Sequence, residues 1–178
     1  MDPKQRALLK HFLAALAYRA QKALRGAPDS FVDFRAAANV RTPHELVWHM
    51  TGLISYACTF FKGGISRPEK LPAFGDEVGR FHQVLDDLAR LLETSTLRNE
   101  ISADQLLQGP LADAMTHVGQ LAMLRRLAGS PVAPENFIRA KITAGNLTPD
   151  QPQPAAPDPG WSPDLPPQPP GKGLPEDW

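Results

Sequence analysis

Residues 42–64, TPHELVWHMTGLISYACTFFKGG, decide the fold class. Thr42 stands at a cap position, Pro43 takes the first helical position, and Glu45 follows three residues after the cap. The threonine hydroxyl can accept a free backbone N–H while the glutamate reaches back to the cap's own N–H, so a helix is set to begin here. Leu46, Met50, Leu53, Ala57 and Phe60 then recur at three- and four-residue spacings and share one helical face. Gly63-Gly64 ends the segment. A helix with a single apolar stripe must bury that stripe against something.

The flanking sequence offers only more helices of the same kind. Pro3 to Leu24 carries Leu8, Phe12, Ala15, Leu16, Ala20 and Leu24 as a stripe, with Gly26, Ala27 and Pro28 as its stop. Ser30 to Arg41 is a connection with room for one helical turn, and Ile65 to Pro72 is a loop. Phe74 to Glu93 carries Val78, Phe81, Leu85, Leu88 and Leu92. After a lead-in at Ala103 to Leu107, a further helix starts near Gly109-Pro110 and runs through Ala114, His117, Leu121, Leu124 and Ala128. Gly129 and Pro131 stop it, and Pro134 to Thr143 reads as a short fifth helix. No strand alternation occurs. The expected fold is all-α, a four-helix bundle over residues 1–146, because four amphipathic helices must bury their stripes against one another.

Composition separates that bundle from a tail. The chain has 178 residues and 19 prolines. Eleven of those prolines lie between Pro149 and Pro175. Residues 147–178 are therefore expected to be extended or polyproline-II-like. Composition alone also fits a disordered linker. Trp161, Leu165, Leu174 and Trp178 are the candidate anchors of the tail on its own bundle or on a neighbouring subunit. Pro166 to Pro170 could instead be a ligand for an aromatic groove on another protein.

Charge and cysteine content exclude several classes. Lys plus Arg and Asp plus Glu are both 19, so no overall positive field favours nucleic acid. A single cysteine, Cys58, excludes an internal disulfide and a cysteine-only metal site. No apolar run is long enough for a membrane span. A soluble, cytoplasmic protein is expected, with a small-molecule substrate and neither nucleic acid nor membrane as a partner.

The histidines carry the chemistry. At 100° per residue, His49 falls about 60° from Leu46 and about 40° from Leu53, on the inward face or its edge. His44 falls on the solvent side, with Glu45 at its margin. Asp113 and His117 are one turn apart on the later helix and share a face with Ala114, Leu121 and Leu124, so both are expected to look into the bundle. One account is an Asp113–His117 hydrogen bond beside a satisfied core histidine, His49. The other is a metal site, since imidazole and carboxylate suit zinc, nickel, iron or manganese, and three ligands leave a position open. His82 lies near the edge of its stripe, as a surface histidine or one bordering the same cavity. His11 lies near the inward face of the first helix. Cys58 reads as a packing residue. Trp48, Tyr56 and Gln120 could brace the site or simply pack. Arg125 and Arg126 complement their helix dipole.

Three stretches give a resemblance: Arg41-Thr-Pro-His-Glu-Leu-Val-Trp-His49-Met50, His117-Val-Gly-Gln-Leu-Ala-Met-Leu-Arg-Arg126, and Leu127-Ala-Gly-Ser-Pro-Val followed by Glu135-Asn-Phe-Ile-Arg139. Together they resemble the DinB/YfiT-like superfamily of metalloenzymes, over roughly residues 1 to 145. The resemblance implies a bundle of up-down-down-up connectivity, frequently a homodimer. It also implies a metal site made of one histidine on the second helix and an H-x-x-x-H pair on the fourth. His49 and His117 match two of these ligands. Asp113 stands where the family has its other histidine, which shifts preference toward harder ions such as manganese or iron. Activities implied by the resemblance include thiol-dependent transfer and isomerisation, with a low-molecular-weight thiol as co-substrate.

Two functions from different classes follow. The first is a divalent-metal-dependent enzyme, an S-transferase or hydrolase, with His49, Asp113 and His117 holding the ion. The second is a non-catalytic, dimeric helical-bundle stress or interaction protein, whose three polar residues form a hydrogen-bonded core cluster.

Overall fold

The computed structural model describes residues 1–98 and 101–163. Four long helices carry the fold: α1 (Pro3–Leu24), α2 (Pro43–Lys62), α3 (Phe74–Thr94) and α5 (Ala112–Leu127), with the single turn α4 (Ala103–Leu106) leading into α5. Among the described residues no strand forms, and one isolated bridge pairs Glu135 with Pro157.

Local chemistry sets the helix ends. The Thr42 hydroxyl accepts from the Glu45 N–H, and the Glu45 carboxylate accepts from the Thr42 N–H at 2.8 Å, which completes the capping box. Asp2 and Gln5 do the same for α1, and Ser102 and Gln105 for α4. Gly129, at φ 71°, closes α5: its N–H donates to the Arg126 carbonyl and the Ser130 N–H to that of Arg125. This is the left-handed C-terminal motif that glycine adopts without strain. Between α4 and α5, Leu107–Leu111 winds as a π-type turn with Gly109 outside helical geometry. Pro110 has no N–H to donate there, so the regular ladder breaks immediately before Asp113.

Side-chain pairs fix the relative directions of the helices. The Arg6 guanidinium at the start of α1 donates to the carbonyls of Leu92 and Ser95 at the end of α3, so these two helices are antiparallel. Arg125, late in α5, donates to the carbonyls of Ala23, late in α1, and of Arg25 just after it, so these two helices run together. His44 and Phe74 meet edge to face at the starts of α2 and α3, which are parallel. His49 faces His117, and Leu46 lines the same groove as Leu124, so α2 opposes α5. The order is up-down-down-up. The core between the helices holds Leu13, Leu16, Met50, Ile54, Phe81 and Leu121, all without solvent exposure.

Two expectations are corrected. α1 does not bury the stripe through Leu8: that residue is 61% exposed, while Leu9, Leu13, Leu16, Ala17 and Ala20 are inside. α1 packs against both α3 and α5, so its buried face is broad and alanine-rich and its centre is turned away from Leu8 and His11. The fifth helix, Pro134 to Thr143, reduces to a 3-10 turn at Phe137–Arg139. The Asp158 N–H donates to the Pro134 carbonyl and the Asn136 N–H donates to the Ala156 carbonyl, so those groups are already used in pairing with the later chain.

That later chain lies on the bundle. Leu147 is buried, and its carbonyl sits 2.7 Å from His82 Nδ1. Arg25 donates to the Gln151 and Pro152 carbonyls and to the Gln153 side chain. Glu135 is buried and accepts from the Tyr18 hydroxyl at 2.7 Å and from the Ala155 N–H. Burial, with the Glu135 carboxylate beside it, pushes the Tyr18 hydroxyl far up from its ordinary pKa. Trp161 is half-buried; the other candidate anchors Leu165, Leu174 and Trp178, and the stretch Pro166 to Pro170, lie outside the described residues.

Candidate metal centre

Helix phase brings His49 of α2 to His117 of α5. Their rings meet nearly at right angles, with centroids 4.7 Å apart. Asp113 precedes His117 by one turn, and its Oδ1 lies 3.2 Å from His117 Nε2. One ligand atom from each of His49, Asp113 and His117 falls within 4.8 Å of the other two. Bonds of about 2.1 Å to a shared ion would draw such atoms somewhat closer, a change within reach of small side-chain rotations.

Electrostatics favour a cation among these atoms. Gln120 Oε1 lies 2.8 Å from His117 Nδ1, so the amide oxygen accepts the Nδ1 proton and the Nε2 lone pair is left free. Nε2 is buried and has no hydrogen-bond partner. The Asp113 contact is close in distance but not aligned as a hydrogen bond, so it does not satisfy that nitrogen. A lone pair and a carboxylate facing each other repel unless a positive charge lies between them. His49 is held below its ordinary pKa, first by burial, then by the Arg41 charge and the neighbouring His117 ring, against the opposing pull of Asp113. It is therefore neutral near pH 7, as ligation requires.

Asp113 does not look into the bundle as expected. Its side chain is 48% exposed while that of His117 is 8% exposed. The π-type turn before it places Asp113 at the rim, so the cluster has a buried histidine side and an open carboxylate side. An ion held there would have three protein ligands and an open side.

Other candidates go elsewhere. His44 is buried and not on the solvent side: its ring packs on Phe74, and its backbone N–H donates to the Val32 carbonyl. A helical wheel cannot show that the 25–42 connection and α3 cover this end of α2. His82 is buried and bound to Leu147. His11 is exposed. Trp48 Nε1 donates to the Pro68 carbonyl in the 65–72 loop, and Tyr56 packs on Phe60. Burial pushes the Cys58 thiol up to about 11, which leaves it a packing residue with little thiolate. Arg125 does more than complement a dipole: it is buried and holds the carbonyls of Ala23, Arg25, Gly26 and Ser130.

A groove of about 660 Å³ adjoins the cluster. Gln120 belongs to both, lining the groove and holding His117. Arg41 also lines it, close enough for its charge to act on His49. The groove was not read from the sequence, although Arg41 directly precedes the α2 cap, two turns from His49. Among the described residues no helix is long and apolar enough to cross a membrane. In comparisons with known proteins, the chain matches no family model, no curated protein and no solved structure.

Proposed function

We propose that the chain is a divalent-metal-dependent enzyme acting on a small molecule held beside His49, Asp113 and His117. The observation that carries this is the free, buried Nε2 of His117 facing a carboxylate and a neutral histidine. Two imidazoles and one carboxylate fit zinc, nickel, iron or manganese, and the carboxylate moves preference toward the harder ions. Such an ion, when bound, supplies a Lewis acid that lowers the pKa of a water or thiol at its open position. The protein's own groups prepare the place. Gln120 fixes the His117 tautomer, burial and Arg41 keep His49 unprotonated, and Asp113 lies on the solvent side where a ligand can enter.

The resemblance to the DinB/YfiT-like superfamily supports the same reading. It extends the proposal to a homodimer and to a low-molecular-weight thiol as co-substrate, with S-transfer and hydrolysis as the two reaction classes. Elemental mass spectrometry on untagged protein tests it. About one transition-metal ion per chain is expected in the native protein, and most of it should be lost in His49→Ala and His117→Ala with helix content unchanged. Full occupancy in both variants would remove the site.

A second function is favoured by one observation, the 3.2 Å approach of His117 to Asp113. With His117 protonated, that contact serves as an ion pair and no metal is needed. The chain is then a non-catalytic bundle that works through a partner. Absence of metal after incubation with manganese, iron, nickel and zinc selects this alternative.

A further inference from the structure

We infer that the groove beside the metal centre binds an organic carboxylate: a single carboxylate group paired with Arg41, carried on an apolar body that lies along α5. This deepens the proposed function and rests on it, because the groove is taken as the substrate site of that centre. Leu46 and Leu124 form a buried floor. Val40, Met123 and Leu127 form the walls and are 37%, 57% and 58% exposed, three large apolar side chains gathered on one concave surface. Scattered exposed apolar residues need no explanation, but a cluster lining a groove marks a place where an apolar partner displaces water.

Arg41 is the one charged residue that lines this groove among the described residues. It forms no hydrogen bond or ion pair with any described residue, unlike Arg6, Arg25, Arg35, Arg80, Arg90 and Arg125. A guanidinium fork matches a carboxylate with two parallel hydrogen bonds. One cation without a second beside it balances a monoanion better than a phosphate dianion. The volume suits a small amphiphile and not a macromolecular segment. Gln120 lines the groove and also holds His117, so the groove borders the candidate metal site through that one side chain.

Calorimetric titration of the full chain with octanoate, octanamide and octyl phosphate tests this. Octanoate is expected to bind saturably, once per chain. Arg41→Gln should weaken it roughly tenfold to a hundredfold, the range for one charged hydrogen-bonded pair, and bring it to the level of octanamide. Leu127→Glu should abolish octanoate binding by placing an anion on the wall. Circular dichroism melts of both variants should match the native protein, since both side chains are exposed. No saturable octanoate binding, octanoate binding untouched by Arg41→Gln, or binding of octyl phosphate alone would each overturn the proposal. The same titration in His117→Ala separates this proposal from the metal reading. Arg41-dependent binding there is expected whether or not metal is found, whereas failure of the metal centre registers only in the metal analysis.

Discussion

Gln120 and His82 show how one hydrogen bond decides what a histidine does. Gln120 accepts from His117 Nδ1 and leaves Nε2 free, the atom that would ligate in the proposed metal site. Gln120→Leu should therefore lower metal affinity by roughly 10- to 100-fold while leaving His49, Asp113 and His117 in place. Competition against a fluorescent chelator reads that change, and unchanged affinity would mean that Gln120 does not orient the ring. His82 is held differently. Its Nδ1 donates to the Leu147 carbonyl, and burial keeps its pKa below the ordinary value. The folded state thus takes up a proton less readily than the unfolded state, whose histidines titrate near pH 6.5. The stability this gives is present above about pH 6.5 and is lost as pH falls below it, by at most about 1.4 kcal/mol per pH unit. His49, shifted in the same direction, adds to the same slope. Urea unfolding at pH 7.5 and 5.5 should show a smaller acid loss for His82→Asn, which keeps a donor near Nδ1 but does not titrate. An identical loss in both proteins would place the acid sensitivity elsewhere.

The helices owe their ends to local chemistry, but α1 owes its ending to a distant residue as well. Arg125 on α5 is buried and donates to three carbonyls at the C-terminal end of α1 and its turn. Those oxygens lack helical partners by construction, so the guanidinium is a cap supplied from another element. It also packs over the Phe31 ring, tying in the 25–42 connection. Arg125→Leu should cost about 3 kcal/mol in urea unfolding, since it strips buried carbonyls of their donor. Arg126→Leu, one position on and exposed, should cost little. Equal effects at the two positions would refute the cap. The break at Gly109-Pro110 acts on element scale too, because it ends one helical register just before Asp113 and places that carboxylate at the rim.

At the scale of the molecule, the bundle and the chain that follows it form one packed body at least as far as Asp158. Leu147 is buried against the core, and Glu135, Tyr18, Ala155 and Pro157 join the start of the tail to α1. Leu147→Ala should therefore destabilise the whole bundle by roughly 2–5 kcal/mol, the usual range for a buried leucine. A thermal melt that shifts all helical signal together is the expected result, and an unchanged melt would mean that the tail contributes nothing to stability. The all-α class, the boundaries of α1, α2 and α3, and the three residues His49, Asp113 and His117 that come together were legible in sequence. Capping boxes, helix-stopping glycines and three- and four-residue periodicity act over one or two turns, and so they can be read without knowing the neighbours. Tertiary structure decided the rest. Which face of α1 is buried depends on packing against two helices at once. The burial of His44, the attachment of His82 to Leu147, the loss of helix after Pro134 and the exposure of Asp113 all depend on segments far away in sequence. Periodicity along one helix specifies a direction around its axis, whereas burial depends on what other elements bring to that side.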